Sequence, residues 1–197
     1  MRKCNDVEII RLFQEKGINL FTLTDFAKLF EIANKQTLYK KIQRLEQKKI
    51  ISKLIKGKYL FLFGKADKFE IANFLRQPSY VSLESALSFY GIITGFPYKI
   101  TSITIKKTKN IAVEEREYQY TQITNNLFWG WEKREDFLLA DKEKSLIDYL
   151  YLSFKGLRVF DKQEFDLKQI DYKKLNKYFK IIKNKSLLKF LKKLEYD

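Results

Sequence analysis

The chain has 197 residues, 45% of them hydrophobic and 32% charged, with a formal net charge of +15 at pH 7. That length suffices for one large or two small domains with a buried core, and no apolar run reaches the length of a membrane span. One cysteine, Cys4, excludes an internal disulfide, and the absence of histidine excludes His/Cys zinc sites, Ser-His-Asp and Cys-His catalysis and imidazole general bases.

The frequent Lys, Ile, Phe, Tyr and Asn match the bias of an AT-rich genome, so where the charge sits says more than its sum. Residues 1–65 hold fifteen basic against six acidic residues, residues 66–140 nine against nine, and residues 141–197 fifteen against nine. Within residues 34–58 nine basic residues face Glu46 alone. The start at Met1-Arg2-Lys3 runs into an amphipathic segment without a signal peptide, so a cytoplasmic location is expected.

In chain order, Val7, Ile10, Leu12 and Phe13 fall at helical spacing and Gly17 ends that helix. A short second helix starts within 21–26, with Thr22 or Thr24 as N-cap, and buries Phe26, Leu29 and Phe30. A third helix is predicted from Lys35 to Lys49. Its Leu38, Ile42 and Leu45 form one narrow apolar stripe. At 100° per residue the opposite face carries Gln36, Lys40, Gln43 and Gln47, flanked by Thr37, Lys41, Arg44 and Lys48. Two β-prone runs, 51–55 and 59–63, follow, joined by Lys56-Gly57-Lys58.

Three helices followed by a basic-tipped hairpin is the order of a winged helix-turn-helix, which predicts that residues 1–65 bind duplex DNA. Long donors on the outward face of the third helix suit base edges in the major groove, where Arg or Lys pairs with guanine and Gln with adenine. Gln36, Lys40, Gln43 and Arg44 are the candidates for reading bases. Lys35, Lys41, Lys48, Lys56 and Lys58 are the candidates for holding phosphates, with Thr37 beside them. About five neutralised phosphates would give log K a slope near −4.5 against log salt.

Residues 66–197 read as a second, α+β domain. A helix over 67–77 is broken by Pro78-Ser79-Tyr80-Val81, and a further helix opens at Ser82. Period-two runs at 100–105, 117–123, 127–131 and 137–140 predict an antiparallel sheet, and helices follow at about 141–154, 171–183 and 185–195. Gly64-Lys65-Ala66-Asp67 is the best junction.

Several segments of this domain resemble the AbiEi family of type IV antitoxins. They are Phe69-Glu70-Ile71-Ala72-Asn73, the block from Pro78-Ser79-Tyr80-Val81-Ser82-Leu83-Glu84-Ser85-Ala86-Leu87 to Ile93, Thr101 to Thr104 with Lys107-Thr108-Lys109, Leu127-Phe128-Trp129-Gly130, and the Glu143-Lys144 to Asp148 and Leu152 helix. The matches run in order from about residue 5 to 152; after Arg158 no motif of the family can be placed. The resemblance implies a winged-helix repressor of its own operon, functionally linked to a nucleotidyltransferase-like toxin with which it forms no stable complex. It implies no cofactor and no enzymatic activity.

Other residues invite chemistry. Ser79, Ser82, Glu84 and Ser85 could suggest a polar active site but read as a helix start, with Ser82 as N-cap and Ser85 as a nearby small residue. Glu114-Glu115-Arg116-Glu117, which could suggest a metal site or general base, reads as a solvated turn. Asp141, Glu143 and Lys144 read as a capped helix start, with a metal-dependent nuclease as the competing reading; no catalytic or metal-ligating set is assigned. Trp129 and Trp131 would share one face of a strand. The lysines of 173–185 and the leucines of 187–194 give basic amphipathic helices, open to contact with DNA phosphates, RNA or a partner, or to solvation. A protein-interaction module with an incidental basic helix is the remaining alternative.

Overall fold

A computed structural model describes residues 5–95 and 97–196, with side chains described up to residue 192. Cys4 and the basic start at residues 1–3 lie outside the described residues. The chain divides into two compact units between Leu75 and Arg76, ten residues beyond the expected junction. The helix that follows the hairpin, α4 (Lys68–Leu75), belongs to the first unit, and Lys58 accounts for part of this: its ammonium donates to the Phe74 and Leu75 carbonyls.

The first unit contains α1 (Asp6–Glu15), β1 (Leu20–Thr22), α2 (Leu23–Leu29), α3 (Lys35–Gln47), β2 (Ile51–Ile55), β3 (Lys58–Phe61) and α4. Helix α1 starts with a capping box, in which the Asn5 side chain accepts from Glu8 N–H and Glu8 accepts from Asn5 N–H. Thr22, not Thr24, caps α2 in a second capping box with Asp25. The hydroxyl of Thr22 is the main cause of an Asp25 pKa below the usual 3.8.

The expected helix start at 21–26 conceals a strand. Leu20–Thr22 pairs antiparallel with β3, Phe21 opposite Tyr59, which makes a three-stranded sheet in the order β1-β3-β2. Three residues are too few to show a period, and their partner lies nearly forty positions away. Phe13 forms the hub of the core, with edge contacts to Phe21 and Phe61 at 4.9 and 5.2 Å between ring centroids. The inward face of α1 is Ile9 and Phe13, while Val7, expected inside, is 73% exposed.

The second unit has a six-stranded sheet in the order β6-β7-β5-β4-β9-β8, built from β4 (Ser79–Val81), β5 (Ile100–Thr104), β6 (Lys109–Val113), β7 (Arg116–Gln122), β8 (Trp131–Arg134) and β9 (Phe137–Ala140). It is mixed, which corrects the expected antiparallel sheet. Strands β4 and β5 form an antiparallel centre, and a hairpin docks on each side through its second strand, so β5 runs parallel to β7 and β4 to β9. Burial explains the choice. Strand β7 contributes the buried Tyr118 and Tyr120 and β9 contributes Leu139 and Ala140, whereas all four residues of β8 are exposed and β6 begins with exposed Lys109 and Asn110. The polar strands take the edges, where charge discourages further pairing.

Helices α5 (Leu83–Phe89), α6 (Lys142–Phe154), α7 (Tyr172–Ile181) and α8 (Lys185–Tyr196) complete the unit. Helix α6 packs against α5, α7 and α8 and is buried from Glu143 through Leu152, so it lacks the one-sided pattern of a surface helix. The segment read as a break, Pro78 to Val81, contains the central strand β4. Leu127 to Trp131 is not one strand: a helical turn ends at Leu127, and Gly130, at φ +74°, separates Trp129 from Trp131 at the start of β8. The two tryptophans therefore do not alternate on a common face. Trp129 donates to the Asn126 carbonyl and packs on Tyr178, while Trp131 stacks toward Tyr80.

Candidate nucleic-acid interface

Helix α3 owes its orientation to its own sequence. Asn34 caps it by accepting from Thr37 N–H at 3.0 Å, and Leu38, Ile42 and Leu45 sink into the core of the first unit. With that stripe fixed, Lys35, Gln36, Thr37, Lys40, Gln43, Arg44, Gln47 and Lys48 are exposed, as the helical spacing predicts. Five residues separate α2 from α3, including Glu31 at φ +53°. The hairpin β2–β3 turns at Lys56-Gly57, and Gly57 sits at φ +78°, a conformation that a side chain would strain. Its carbonyl accepts from Leu23 N–H, which ties the hairpin tip to the start of α2.

The ten predicted residues do not all remain available. Lys41 is half-buried and reaches Asp6 at 3.1 Å; Lys48 and Arg44 approach the same carboxylate at 2.5 and 3.5 Å. Hydrogen bonding to Lys48, ahead of the contribution of Lys41 and against a desolvation cost, lowers the Asp6 pKa to about 2. Lys58 turns away from the hairpin tip, since its ammonium is held by the two α4 carbonyls and lies 5.0 Å from the centre of the Phe74 ring. Lys35, Gln36, Thr37, Lys40, Gln43 and Lys56 stay outward and, among the described residues, are held by no carboxylate.

Sequence reasoning missed two features here. Tyr39, 56% exposed, stands on α3 between the apolar stripe and the polar face, and the helical angle alone could have placed it. Asp6 could not have been found, because nothing in the chain before Lys41 signals that an acid 35 residues upstream will meet it.

A second polar cluster lies inside the second unit. Lys144 and Asp148, one turn apart on α6, form an ion pair with side chains 0% and 1% exposed. Asp148 also accepts from the Tyr80 hydroxyl at 3.0 Å and the Ser82 hydroxyl at 2.8 Å. Burial pushes the Asp148 carboxyl up and the Lys144 ammonium down, and the charge of each opposes the shift of the other. The Lys144 ammonium lies 4.9 Å from the centre of the Trp129 ring and 5.5 Å from that of Tyr80. Ser82 occupies the N-cap position of α5 without capping it: its hydroxyl donates to Asp148, and Ser85 N–H donates to the Thr101 hydroxyl at 3.0 Å instead. Asp141 does cap α6, accepting from Lys144 N–H at 2.8 Å. Three of the motifs that carry the antitoxin resemblance thus meet at one point: Tyr80 and Ser82, Trp129-Gly130, and Lys144 with Asp148.

Compared with known protein families and with curated proteins, the chain as a whole matches none. The Lys144 and Asp148 side chains lie almost wholly out of solvent. Among the described residues no three His, Cys, Asp or Glu side chains gather as a metal site, and no helix is long and apolar enough to cross a membrane.

Proposed function

We propose that the protein is a DNA-binding transcriptional repressor of the antitoxin type, with a winged helix-turn-helix in its first unit and no catalytic activity of its own. The observation that carries this reading is the outward face of α3, where Lys35, Gln36, Lys40 and Gln43 are held by a three-residue apolar anchor beside a glycine-turned hairpin bearing Lys56. Such a face presents long donors to base edges while its backbone stays fixed, and the hairpin supplies a phosphate contact. The strand order β1-β3-β2, with α1, α2 and α3 ahead of the β2–β3 hairpin, supports the winged-helix reading. In this reading the protein acts in the cytoplasm on the promoter of its own operon, opposing a nucleotidyltransferase-like toxin without binding it stably. That part rests on the motif resemblance and on the meeting of those motifs at Lys144 and Asp148.

The test is fluorescence anisotropy on duplex DNA from immediately upstream of the protein's gene, against a scrambled duplex, over a range of salt. Preference of at least about a hundredfold for the upstream duplex is expected, a threshold below the usual span of about 10³–10⁷ for specific over non-specific binding. Lys35 and Lys56 alone would give a salt slope of about −1.8, since Lys41 and Lys48 are engaged by Asp6 and Lys58 by α4. Lys40→Ala with Arg44→Ala should reduce the preference by about 1–3 kcal/mol per lost base contact. A flat salt response, or equal affinity for both duplexes, overturns the repressor reading.

A further inference from the structure

Helices α7 and α8 carry a charge pattern for which the first unit's DNA contacts have no use. Each is anchored by a buried apolar pair, Leu175 with Phe179 and Leu187 with Leu191. The start of α7 is also pinned. Asp171 accepts from Lys173 and Lys174 N–H, Glu143 accepts from Asp171 N–H at 2.9 Å, and the Lys174 ammonium turns inward to Asp141 and Glu143 at 3.0 and 3.3 Å. Asn184 caps the next helix by accepting from Leu187 N–H at 3.0 Å.

With those faces fixed inward, Lys173, Lys177 and Lys180 on α7 and Lys185, Lys189 and Lys192 on α8 are all exposed, and so is Lys183 between the helices. Both triplets share the spacing i, i+4, i+7. A rise of about 1.5 Å per residue puts the charges about 6 and 4.5 Å apart along each helix. No acidic residue occurs from Tyr172 to Lys192, and among the described residues no carboxylate engages these seven lysines. Some exposed cations elsewhere are paired, as Arg11 is with Glu15 and Lys99 with Glu117.

Rows of exposed, unpaired cations raise the local positive potential, which attracts a polyanion. An anionic membrane is a poor fit, because surface helices bind bilayers by burying an apolar face, and here those faces are spent on the protein core. A phosphate backbone is a good one: duplex DNA carries a charge about every 1.7 Å of its axis, so lysines at these intervals meet phosphates whatever the base sequence. We propose that α7 and α8 form a second, sequence-independent contact to duplex DNA, adding phosphate contacts to those of the first unit. The proposal rests on the DNA-binding reading and extends it to the second unit.

The full-length protein is measured on the upstream and the scrambled duplex across salt, beside the variant Lys177→Gln/Lys180→Gln/Lys185→Gln/Lys189→Gln. Four lost contacts should make the slope of log K against log salt less steep by about 3.6 on both duplexes, while the upstream-to-scrambled ratio is kept. The corresponding Lys→Arg variant should restore the wild-type slope. As a measurement on unaltered protein, bound scrambled duplex should protect Lys177, Lys180, Lys185 and Lys189 from an amine-modifying reagent. Unchanged slopes in the Gln variant, or equal modification with and without DNA, overturn this contact and leave the repressor reading standing. Loss of upstream preference in the wild type, with the slope difference intact, overturns the repressor reading and supports the contact.

Discussion

Asp6 in the first unit and Asp148 in the second each accept from lysine, one at the surface and one in the core. Asp6 is outnumbered by Lys41, Arg44 and Lys48, so its cluster keeps a net positive charge, with Arg44 and Lys48 open to water. Asp148 has one cation and two hydroxyls, in a setting where Lys144 and Asp148 are almost wholly out of solvent. The same ion-pair chemistry therefore has different consequences. At the surface, water screens the pair and its effect is on the field that an incoming polyanion meets. In the core, a lost partner strands a charge that nothing else can solvate.

The largest expected effect tests the core half of that contrast. Asp148→Ala leaves the Lys144 ammonium and two hydroxyls without their acceptor, and urea unfolding should show a loss of about 3–5 kcal/mol. A wild-type midpoint would mean that the pair does not organise the second unit. A smaller effect is expected at Gly130, which combines φ +74° with a site where an added Cβ would lie 2.8–3.0 Å from the Lys144 stem. Gly130→Ala should cost about 1–3 kcal/mol in the same assay, through backbone strain and displacement of that stem. An unchanged stability would break the link between the Trp129-Gly130 segment and the buried pair.

A comparable stability effect, with a separate readout on DNA, belongs to Asp6. Asp6→Asn should lower unfolding free energy at neutral pH by at most about 2 kcal/mol, the ceiling set by its depressed pKa. It should also raise affinity for scrambled duplex at low salt and steepen its salt dependence, because three cations are released toward DNA. Unaltered DNA affinity would show that Asp6 does not temper the basic face. The wild-type carboxyl should titrate at about 2 by NMR, against the ordinary 3.8. Since the folded pKa is depressed, the stabilisation from this cluster is complete above pH 3.8 and disappears as pH falls through about 2. A midpoint at 3.8 would mean that the Lys48 and Lys41 contacts do not form in solution.

Much of the first unit was legible in the sequence. The apolar stripe Leu38, Ile42, Leu45 located α3 and its outward residues, and Gly57 marked the hairpin turn. The concentration of basic residues in 34–58 pointed to the same face. In the second unit, the alternation in 117–123 and 137–140 revealed strands but not their directions, because period two reports which side a residue faces and not which strand lies beside it. Short β1 and β4 were hidden for a related reason: each is three residues long and exists through pairing with distant strands.

What the sequence determined by itself was local: the helices and turns of the first unit, the side of α3 that faces outward, and the separation of basic from balanced segments. Those follow from spacing within one element, where neighbours in the chain are neighbours in space. Tertiary structure alone decided that Asp6 gathers Lys41, Arg44 and Lys48, that Lys58 turns to α4, that Ser82 serves Asp148 instead of its helix, and that both hairpins dock by their second strands. Each of these joins groups between 16 and 66 positions apart or chooses among strand partners. Such choices are settled by burial and charge balance in the assembled core, which no short stretch of sequence contains.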